Sequence, residues 1–225
     1  MILAVAATEF EMKPLEQLLA VDGPACSCAT LIAGVGPVET TLRLTRYLER
    51  RDPRIDTVLN FGVAGAYLSE APTGQGPAAL LDLCLAEQEI LGDFGICFAD
   101  HIEAFDEKLG GTRVFPLDQS LLCQARDILG QHQLTCRCGN FVTVSAASAT
   151  RQRGMMLAAR HQGLCENMEG AAVARVCADF SLPLLEVRAV SNLVEDRDLS
   201  RWKMAEACAL AARAACLLVR TMGGA

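Results

Sequence analysis

The 225-residue sequence has few aromatic residues, no surplus of positive charge and no apolar run long enough to cross a membrane. Only 5% of its residues are aromatic, so an interior of aliphatic and alanine side chains is expected. A net charge of −7 argues against nucleic-acid binding, because proteins that read a phosphate backbone cluster surplus Lys and Arg. The first residues lack the positive segment of a signal peptide. These features predict a cytoplasmic protein that contacts neither nucleic acid nor membrane.

Cysteine is abundant, with eleven residues, but its pattern favours neither disulfides nor a metal site. An odd number in a chain of this length without an export signal indicates reduced thiols. Cys26 with Cys28 and Cys136 with Cys138 form C-x-C pairs, whereas zinc ligands usually follow C-x-x-C or wider spacing. The cysteines are therefore predicted to be small core residues, and neither a metal nor a cofactor is expected.

Short apolar runs of strand length alternate with helical patterns along the chain. Continuous apolarity is typical of strands that are buried on both faces. Helical periodicity begins at Pro37, at Ala171 and at Ser200, which is a good N-cap residue. With no linker to divide it, residues 1–225 are predicted to form one α/β domain with a largely parallel or mixed sheet. The predicted strands are 2–7, 28–34, 57–62, 79–86, 141–146 and 184–191.

Ligands of such sheets bind outside the carboxyl ends of the strands, which directs attention to the residues there. Glu11 follows the first strand, and with Thr8 it fits a capping box. Pro14 argues against a helix that begins at Thr8, because proline prefers the first helical position, and it would leave Glu11 on the turn before the helix. A helix-capping role and a site role for Glu11 both remain open at this stage.

Glycine pairs also stand at strand ends. Gly62 and Gly65 follow the third strand, and Gly34 and Gly36 follow the second. Glycines let a backbone approach a ligand closely, but they equally serve tight turns, and the turn interpretation is favoured for each pair. A G-x-G without a third glycine is weak evidence for a dinucleotide site.

Polar side chains mark two further junctions. Ser191 and Asn192 end the last apolar strand, where asparagine is also common as a turn residue. Glu169 precedes an apolar helix, whose N-terminus favours a carboxylate in any case. If the fold gathers Glu11, Glu169 and Asn192, two carboxylates and an amide form an arrangement suited to glycosyl transfer.

Several motifs in sequence order resemble one enzyme superfamily over nearly the whole chain. AGVGPV, NFGVAGA, NMEGAAVARVC and VRAVSN are similar to segments of the purine nucleoside phosphorylase and methylthioadenosine nucleosidase superfamily. Within it the sequence is most similar to the futalosine hydrolases, nucleosidases of the menaquinone route, and ENMEGAA and SNLVEDRDLSRW are the most specific stretches. The resemblance implies a single-domain, three-layer α/β sandwich with a central mixed, largely parallel sheet flanked by helices, in a homodimer or larger homo-oligomer.

The resemblance also implies roles for residues near the sugar. Glu11 matches the glutamate that activates the attacking water, and Glu169 matches the one that holds the ribose hydroxyls. Met168 matches the residue that packs beneath the sugar. These roles agree with the chemistry, because loss of a purine leaves positive charge on the ribose, and a nearby carboxylate stabilises that transition state more than the substrate.

Near the base, the resemblance places Asn192, preceded by Ser191, opposite N7 of the purine. Ala64 belongs to the pocket wall, and Thr150 falls where a backbone group meets the base. Adenine nucleosidases carry an aspartic acid at the position of Asn192, which can protonate N7, whereas an amide donates only a hydrogen bond. Hypoxanthine spreads its leaving charge onto O6, so a 6-oxopurine nucleoside such as futalosine is the predicted substrate.

Three other functions remain open on the sequence. The same fold supports phosphorolysis of purine nucleosides and hydrolysis of methylthioadenosine or S-adenosylhomocysteine. A non-catalytic nucleoside-binding module is disfavoured by the two carboxylates. The charged run Glu195–Trp202 favours a solvated loop, although Arg197 and Arg201 are candidates to bind an acidic group of the substrate.

Overall fold

The computed structural model describes residues 1–21, 28–50, 55–69 and 76–223, so Cys26 lies outside the described residues. The strands are β1 (Ile2–Ala6), β2 (Cys28–Ile32), β3 (Thr57–Ala66), β4 (Leu83–Leu91), β5 (Ile96–Cys97), β6 (Ile102–Glu103), β7 (Val114–Pro116), β8 (Cys136–Thr143), β9 (Gly163–Asn167) and β10 (Leu184–Leu193). The helices are α1 (Glu9–Val21), α2 (Pro37–Glu49), α3 (Glu107–Gly110), α4 (Gln119–Gln131), α5 (Arg151–His161), α6 (Gly170–Asp179) and α7 (Met204–Met222), with a 3-10 turn at Leu199–Arg201.

Eight strands form one mixed sheet in the order β10-β4-β8-β9-β3-β1-β2, with β7 at the side of β4. Strand β10 also pairs with β3, so β10, β4, β8, β9 and β3 close into a ring. Of the eight pairings in the described sheet, those of β1 with β2, β1 with β3, β3 with β10, β4 with β8, and β8 with β9 are parallel. The predicted mixed, largely parallel sheet is therefore confirmed.

Helices cover both faces of this sheet. On one face, α1, α4 and α7 contribute Met12, Leu122 and Ala211 to a core cluster that also contains Ile2 and Ala4 of β1. Alanines recur on the buried side of α7, which lets this helix pack closely on the strands. On the other face, α2 and α6 bury their own apolar stripes, among them Leu44, Leu48, Val173 and Val176. The three-layer arrangement follows from these two cores.

Two predicted strands are displaced, and four strands, β5, β6, β7 and β9, are missing from the prediction. The run 79–86 contains a turn in which Leu81 has φ 65°, and β4 begins only at Leu83 and continues through Glu89. Strand β8 begins earlier, at Cys136, and ends at Thr143, so it contains only the first half of the predicted run 141–146. Strand β9 was not predicted because its last residues, Glu166 and Asn167, are polar. Apolarity fails as a marker here because these strands carry buried polar side chains at the ends that form the site.

The predicted helix starts also need correction at two places. The closing helix begins at Met204 rather than at Ser200, whose hydroxyl donates to Asp198 Oδ1 (2.7 Å) in the 3-10 turn. Helix α1 begins at Glu9 and contains Pro14, so the interpretation that Pro14 opens the helix is wrong. Within the described residues, no helix has both the length and the apolarity to cross a membrane.

Candidate functional site

A cavity of about 250 Å³ opens at the ends of strands β1, β3, β9 and β10. Its walls come from the segment after β1, the last residues of β3 and β10, and the junction between β9 and α6. The cavity gathers all but one of the residues that the sequence predicted to be functional: Glu11, Ala64, Met168, Glu169, Ser191 and Asn192. Residues separated by most of the chain length therefore share one site.

Glu11 serves both as a helix cap and as a cavity residue. It lies in the first turn of α1, and its Oε2 accepts from Thr8 N (3.1 Å) and Thr8 Oγ1 (2.8 Å), while Thr8 Oγ1 accepts from Glu11 N (3.3 Å). Its other oxygen, Oε1, accepts from Val63 N (3.1 Å) on β3. The placement before the helix was wrong, and the capping box itself aims the carboxylate into the cavity. The absence of a side chain at Gly62 leaves room for it, because a Cβ there would overlap the carboxylate.

Glu169 occupies the N-cap position of α6, but its side chain does not cap the helix. Asn167 takes that role, since its Oδ1 accepts from Glu169 N (2.9 Å) and Gly170 N (2.7 Å). The Glu169 carboxylate is thereby free to accept from Gly36 N (3.1 Å) and to face Arg188 Nη1 (3.5 Å). Burial raises the pKa of Glu169, and the Arg188 charge and the Gly36 amide oppose that shift.

Arg188 is the buried cation of the site, with only 1% of its surface exposed. Its Nε donates to Glu186 Oε1 (2.9 Å), and its Nη1 donates to the carbonyl of Val63 (3.3 Å) and faces Glu169. Removing a charge from water is costly unless partners compensate it, so this guanidinium is held by the carboxylates around it. Arg188 therefore holds Glu169 in place. It also contacts the carbonyl of Val63 on β3, and the amide of the same residue binds Glu11.

A second buried layer supports Asn167. Its Nδ2 donates to Glu89 Oε1 (2.6 Å), and Thr143 Oγ1 donates to Glu89 Oε2 (2.8 Å). Ala171 N in turn donates to Thr143 Oγ1 (2.7 Å). Burial, followed by the charge of Glu186, raises the pKa of Glu89 well above its ordinary value. Glu89 thus anchors the Asn167 side chain, which caps α6.

Asn192 lies at a bulge of β10, where the register shifts between Val190 and Asn192. The Ser191 hydroxyl donates to Asn192 Oδ1 (2.9 Å), which orients the amide, and Asn192 Nδ2 makes only a long contact with the Leu193 carbonyl (3.3 Å). The donor side of the amide is therefore presented to the cavity. The interpretation of this pair as a turn is wrong, because the strand continues to Leu193.

The glycines at the strand ends divide into two classes. Gly62 and Gly65 lie within β3, so the turn interpretation is wrong for them. A Cβ on Gly65 would lie 3.1 Å from Asn192 Nδ2, so this glycine gives the amide its space. Gly34 and Gly36 have φ of 87° and 85° and form the turn before α2, as predicted. Gly36 additionally donates its amide to Glu169.

Thr150 does not line the cavity. It is exposed and caps α5, where its Oγ1 accepts from Arg153 N (3.3 Å). Ala147 and Ser148 line the cavity instead, so the backbone near the base position belongs to the preceding turn. Met168 lines the cavity, half-buried, and packs against an apolar cluster of the core.

Arg197, a predicted candidate for an acidic group of the substrate, lines the cavity, and the lining residues that were not predicted to be functional include Ser148, Glu166 and Trp202. The Arg197 guanidinium lies over the Trp202 ring at 4.8 Å from its centroid, so the charged run, most of which is exposed, also provides a wall of the cavity. Arg201 instead pairs with Glu195 (2.6 Å). The single tryptophan beside two arginines was the signal that could have indicated this wall.

Glu166 brings a third carboxylate to the cavity. Only 7% of it is exposed, and burial raises its pKa, whereas hydrogen bonds from Ser148 and Tyr67 and the Arg153 charge oppose the shift. In the described residues, no group of three or more His, Cys, Asp or Glu side chains has an arrangement that could hold a metal ion. The site can thus bind a neutral sugar between carboxylates and a planar base beside an amide.

A family model described as the Phosphorylase superfamily matches residues 8–222, nearly the whole chain. The chain belongs to this superfamily. A futalosine hydrolase of Thermus thermophilus is 33% identical over 199 residues, which cover 87% of this chain and 82% of that protein. A 5′-methylthioadenosine/S-adenosylhomocysteine nucleosidase of Staphylococcus epidermidis is 26% identical over 73% of this chain and 68% of that protein.

The fold of this superfamily member matches solved structures closely. A structure of a futalosine hydrolase mutant of Helicobacter pylori superimposes with a TM-score of 0.82, at 20% identity and 98% coverage of both chains. This likeness confirms the predicted nucleoside phosphorylase-like fold. Together with the relatives, it confirms the predicted resemblance and the prediction of an N-ribosyl hydrolase of the nucleosidase type.

Proposed function

We propose that the protein hydrolyses the N-ribosidic bond of a 6-oxopurine nucleoside, namely futalosine, to hypoxanthine and dehypoxanthine futalosine in menaquinone biosynthesis. The observation that carries the proposal is one cavity that holds the buried carboxylates of Glu11 and Glu169 and that has an amide, Asn192, at the position where adenine nucleosidases carry an aspartic acid. The futalosine hydrolase of Thermus thermophilus, at 33% identity, supports the substrate.

Glu11 is the group that activates water in this reaction. Its carboxylate is fixed by Thr8 and Val63, so it meets a water without reorganisation. The water oxygen bonds to C1′ as the C1′–N9 bond breaks, and Glu11 takes the released proton. Glu169, held by Gly36 and Arg188, binds the ribose hydroxyls and stabilises the positive charge on the sugar.

Asn192 stabilises the departing base. Its amide, oriented by Ser191, donates to N7 or O6 while negative charge spreads over the 6-oxopurine. The amide has no proton to transfer, so a base that leaves as an anion, and is protonated afterwards by solvent, suits the site better than adenine. Met168 and Ala64 provide the apolar surface beside the sugar.

The wall formed by Arg197 and Trp202 accommodates the far end of futalosine, an aromatic group that carries a carboxylate. Arg197 is exposed on one side and stacks on Trp202, so its guanidinium is available for an acid. Arg201 is occupied by Glu195 and is the poorer candidate.

The relative in Staphylococcus epidermidis supports a second candidate, hydrolysis of methylthioadenosine or S-adenosylhomocysteine. Incubation of the protein with futalosine, inosine and methylthioadenosine, each with and without phosphate, separates these functions by chromatography of the released base. Hypoxanthine from futalosine without phosphate is expected. Adenine release alone, or release that requires phosphate, would contradict the proposal.

Glu11→Gln tests the mechanism. Turnover is expected to fall by a factor of about 10²–10⁴, the usual contribution of a general base, while the base still binds. Glu9→Gln is the matched control, because Glu9 stands in the same first turn of α1 but is exposed. Equal rates for the Glu11 variant and the wild type would remove Glu11 from the mechanism.

A further inference from the structure

Glu166 is a buried carboxylate of the cavity that the proposed hydrolysis does not use. It lies on β9, where it pairs with Gly65 of β3, and Gly65 pairs on its other side with Asn192 of β10. Residues paired across neighbouring strands point to the same face of a sheet. Glu166 and Asn192 therefore stand on either side of a residue without a side chain.

The space above Gly65 is shared by both polar groups. A Cβ on Gly65 would lie 3.1 Å from Asn192 Nδ2 and 3.6 Å from Glu166 Cγ. Neighbouring strands are about 4.8 Å apart, so the two backbones are roughly 10 Å apart and their side chains face the gap between them. Val194 Cγ2 would lie nearest to that Cβ, at 3.0 Å, so a planar base lies further out in the cavity, where it would meet the amide along one part of its edge and the carboxylate along another.

The carboxylate keeps acceptor capacity for a ligand. Its Oε1 accepts from Ser148 N (2.8 Å) and its Oε2 from Tyr67 Oη (3.3 Å). An ionised carboxylate has about four acceptor positions, so two remain. The Ser148 hydroxyl, which has no hydrogen-bond partner among the described residues, lines the same wall. The two donors stabilise the anionic form that an acceptor role requires.

The two purine classes differ at the atom that such a carboxylate would meet. An amide can pair with the N7 edge of either class, so Asn192 alone does not discriminate by hydrogen bonding. A 6-oxopurine carries a hydrogen on N1, whereas N1 of adenine is an acceptor. A carboxylate accepts from the first and repels the second.

We propose that Glu166 selects a 6-oxopurine over adenine by accepting the N1–H of the base, while Asn192 donates to N7 or O6. This proposal rests on the proposed function, because it names the residue that sets the base preference of the same site. A hydrogen bond to a charged group contributes about 1.5–3 kcal/mol, so Glu166 should account for a preference of roughly tenfold to hundredfold.

The test compares the dissociation constants of free hypoxanthine and adenine by calorimetry for the wild type and Glu166→Gln. The ratio of the two constants is expected to move toward adenine by about tenfold to hundredfold in the variant, because the Gln amide can donate to N1. Tyr67→Phe is the matched control, since it removes one donor to Glu166 but keeps the carboxylate, and its ratio should stay near that of the wild type.

A variant that weakens both bases by the same factor would show that Glu166 only anchors Ser148, and would overturn the proposal. One measurement needs no variant: 1-methylhypoxanthine, which lacks the N1 hydrogen, should bind the wild type at least tenfold more weakly than hypoxanthine. Equal binding of these two bases would also overturn it. Failure to release hypoxanthine from futalosine would instead count against the proposed function, and the base-binding ratio would still report on Glu166.

Discussion

Substitution of Arg188 should show how much its buried ion pairs contribute to the free energy of unfolding. In Arg188→Met, the apolar side chain fills much of the same volume, but Glu186 and Glu169 lose their buried cation. Removing one partner of a buried ion pair costs about 3–5 kcal/mol, because the remaining charge stays out of water. The free energy of unfolding of a domain is only about 5–15 kcal/mol, so this loss is a large fraction of it.

Chemical denaturation followed by circular dichroism measures this loss as a lower midpoint with an unchanged slope. The difference in free energy of unfolding between wild type and variant should grow with pH. Arg188 opposes the upward shift of the Glu169 pKa, so its removal lets that pKa rise further. A raised folded pKa contributes stability at low pH that disappears as pH rises through it. The variant should therefore be closest to the wild type in acid.

Arg175→Met is the matched control, because Arg175 forms an exposed pair with Asp179 (3.2 Å) on α6. Exposed pairs of this kind contribute about 0.3–0.5 kcal/mol. Adding Glu186→Gln to Arg188→Met should recover part of the loss, since one orphaned charge is then removed. A loss below about 1 kcal/mol, or one no larger than that of the control, would refute the reasoning.

Three further substitutions test single contacts. The folded state raises the pKa of Glu89 above its ordinary value of 4.5, so the free energy of unfolding of the wild type should fall by up to about 1.4 kcal/mol per pH unit above pH 4.5. Glu89→Gln should make this decline less steep, because it removes the titrating group. Chemical denaturation at several pH values measures the difference. Ser191→Ala should lower kcat/KM about threefold to tenfold by freeing the Asn192 amide, and an unchanged value would contradict the orienting role. Gly62→Ala should abolish turnover, since its Cβ displaces the Glu11 carboxylate; normal activity would show that the carboxylate tolerates another position.

The sequence determined the fold class and most members of the site. Continuous apolar runs predicted buried strands, and those of β1, β3 and β10 were confirmed, although β3 and β10 extend further than predicted. The run of β2 forms a strand, but its residues are only partly buried because it lies at the edge of the sheet. The motif order around Glu11, Glu169 and Asn192 predicted a shared cavity because carboxyl ends of strands meet at one edge. Composition correctly indicated an aliphatic, alanine-rich core.

Local pattern failed where buried side chains are polar. The ends of β4 and β9 carry glutamates and an asparagine that the sheet buries, and apolarity cannot reveal strand ends whose polar groups bind one another. The resemblance placed Thr150 near the base, but Thr150 does not line the cavity, whereas Ala147 and Ser148 do. The Trp202 wall was interpreted as a solvated loop because charge density alone cannot show which side a loop covers.

The sequence by itself therefore determined the class of fold, since periodicity and strand ends are local properties, and the family resemblance implied which residues would meet. Tertiary structure decided what each of them does. Gly36 and Arg188 hold the Glu169 carboxylate, Val63 on β3 holds that of Glu11, and Gly65 separates Asn192 from Glu166 across three strands. These roles depend on strand register and on hydrogen bonds between residues far apart in the chain, which no local pattern encodes.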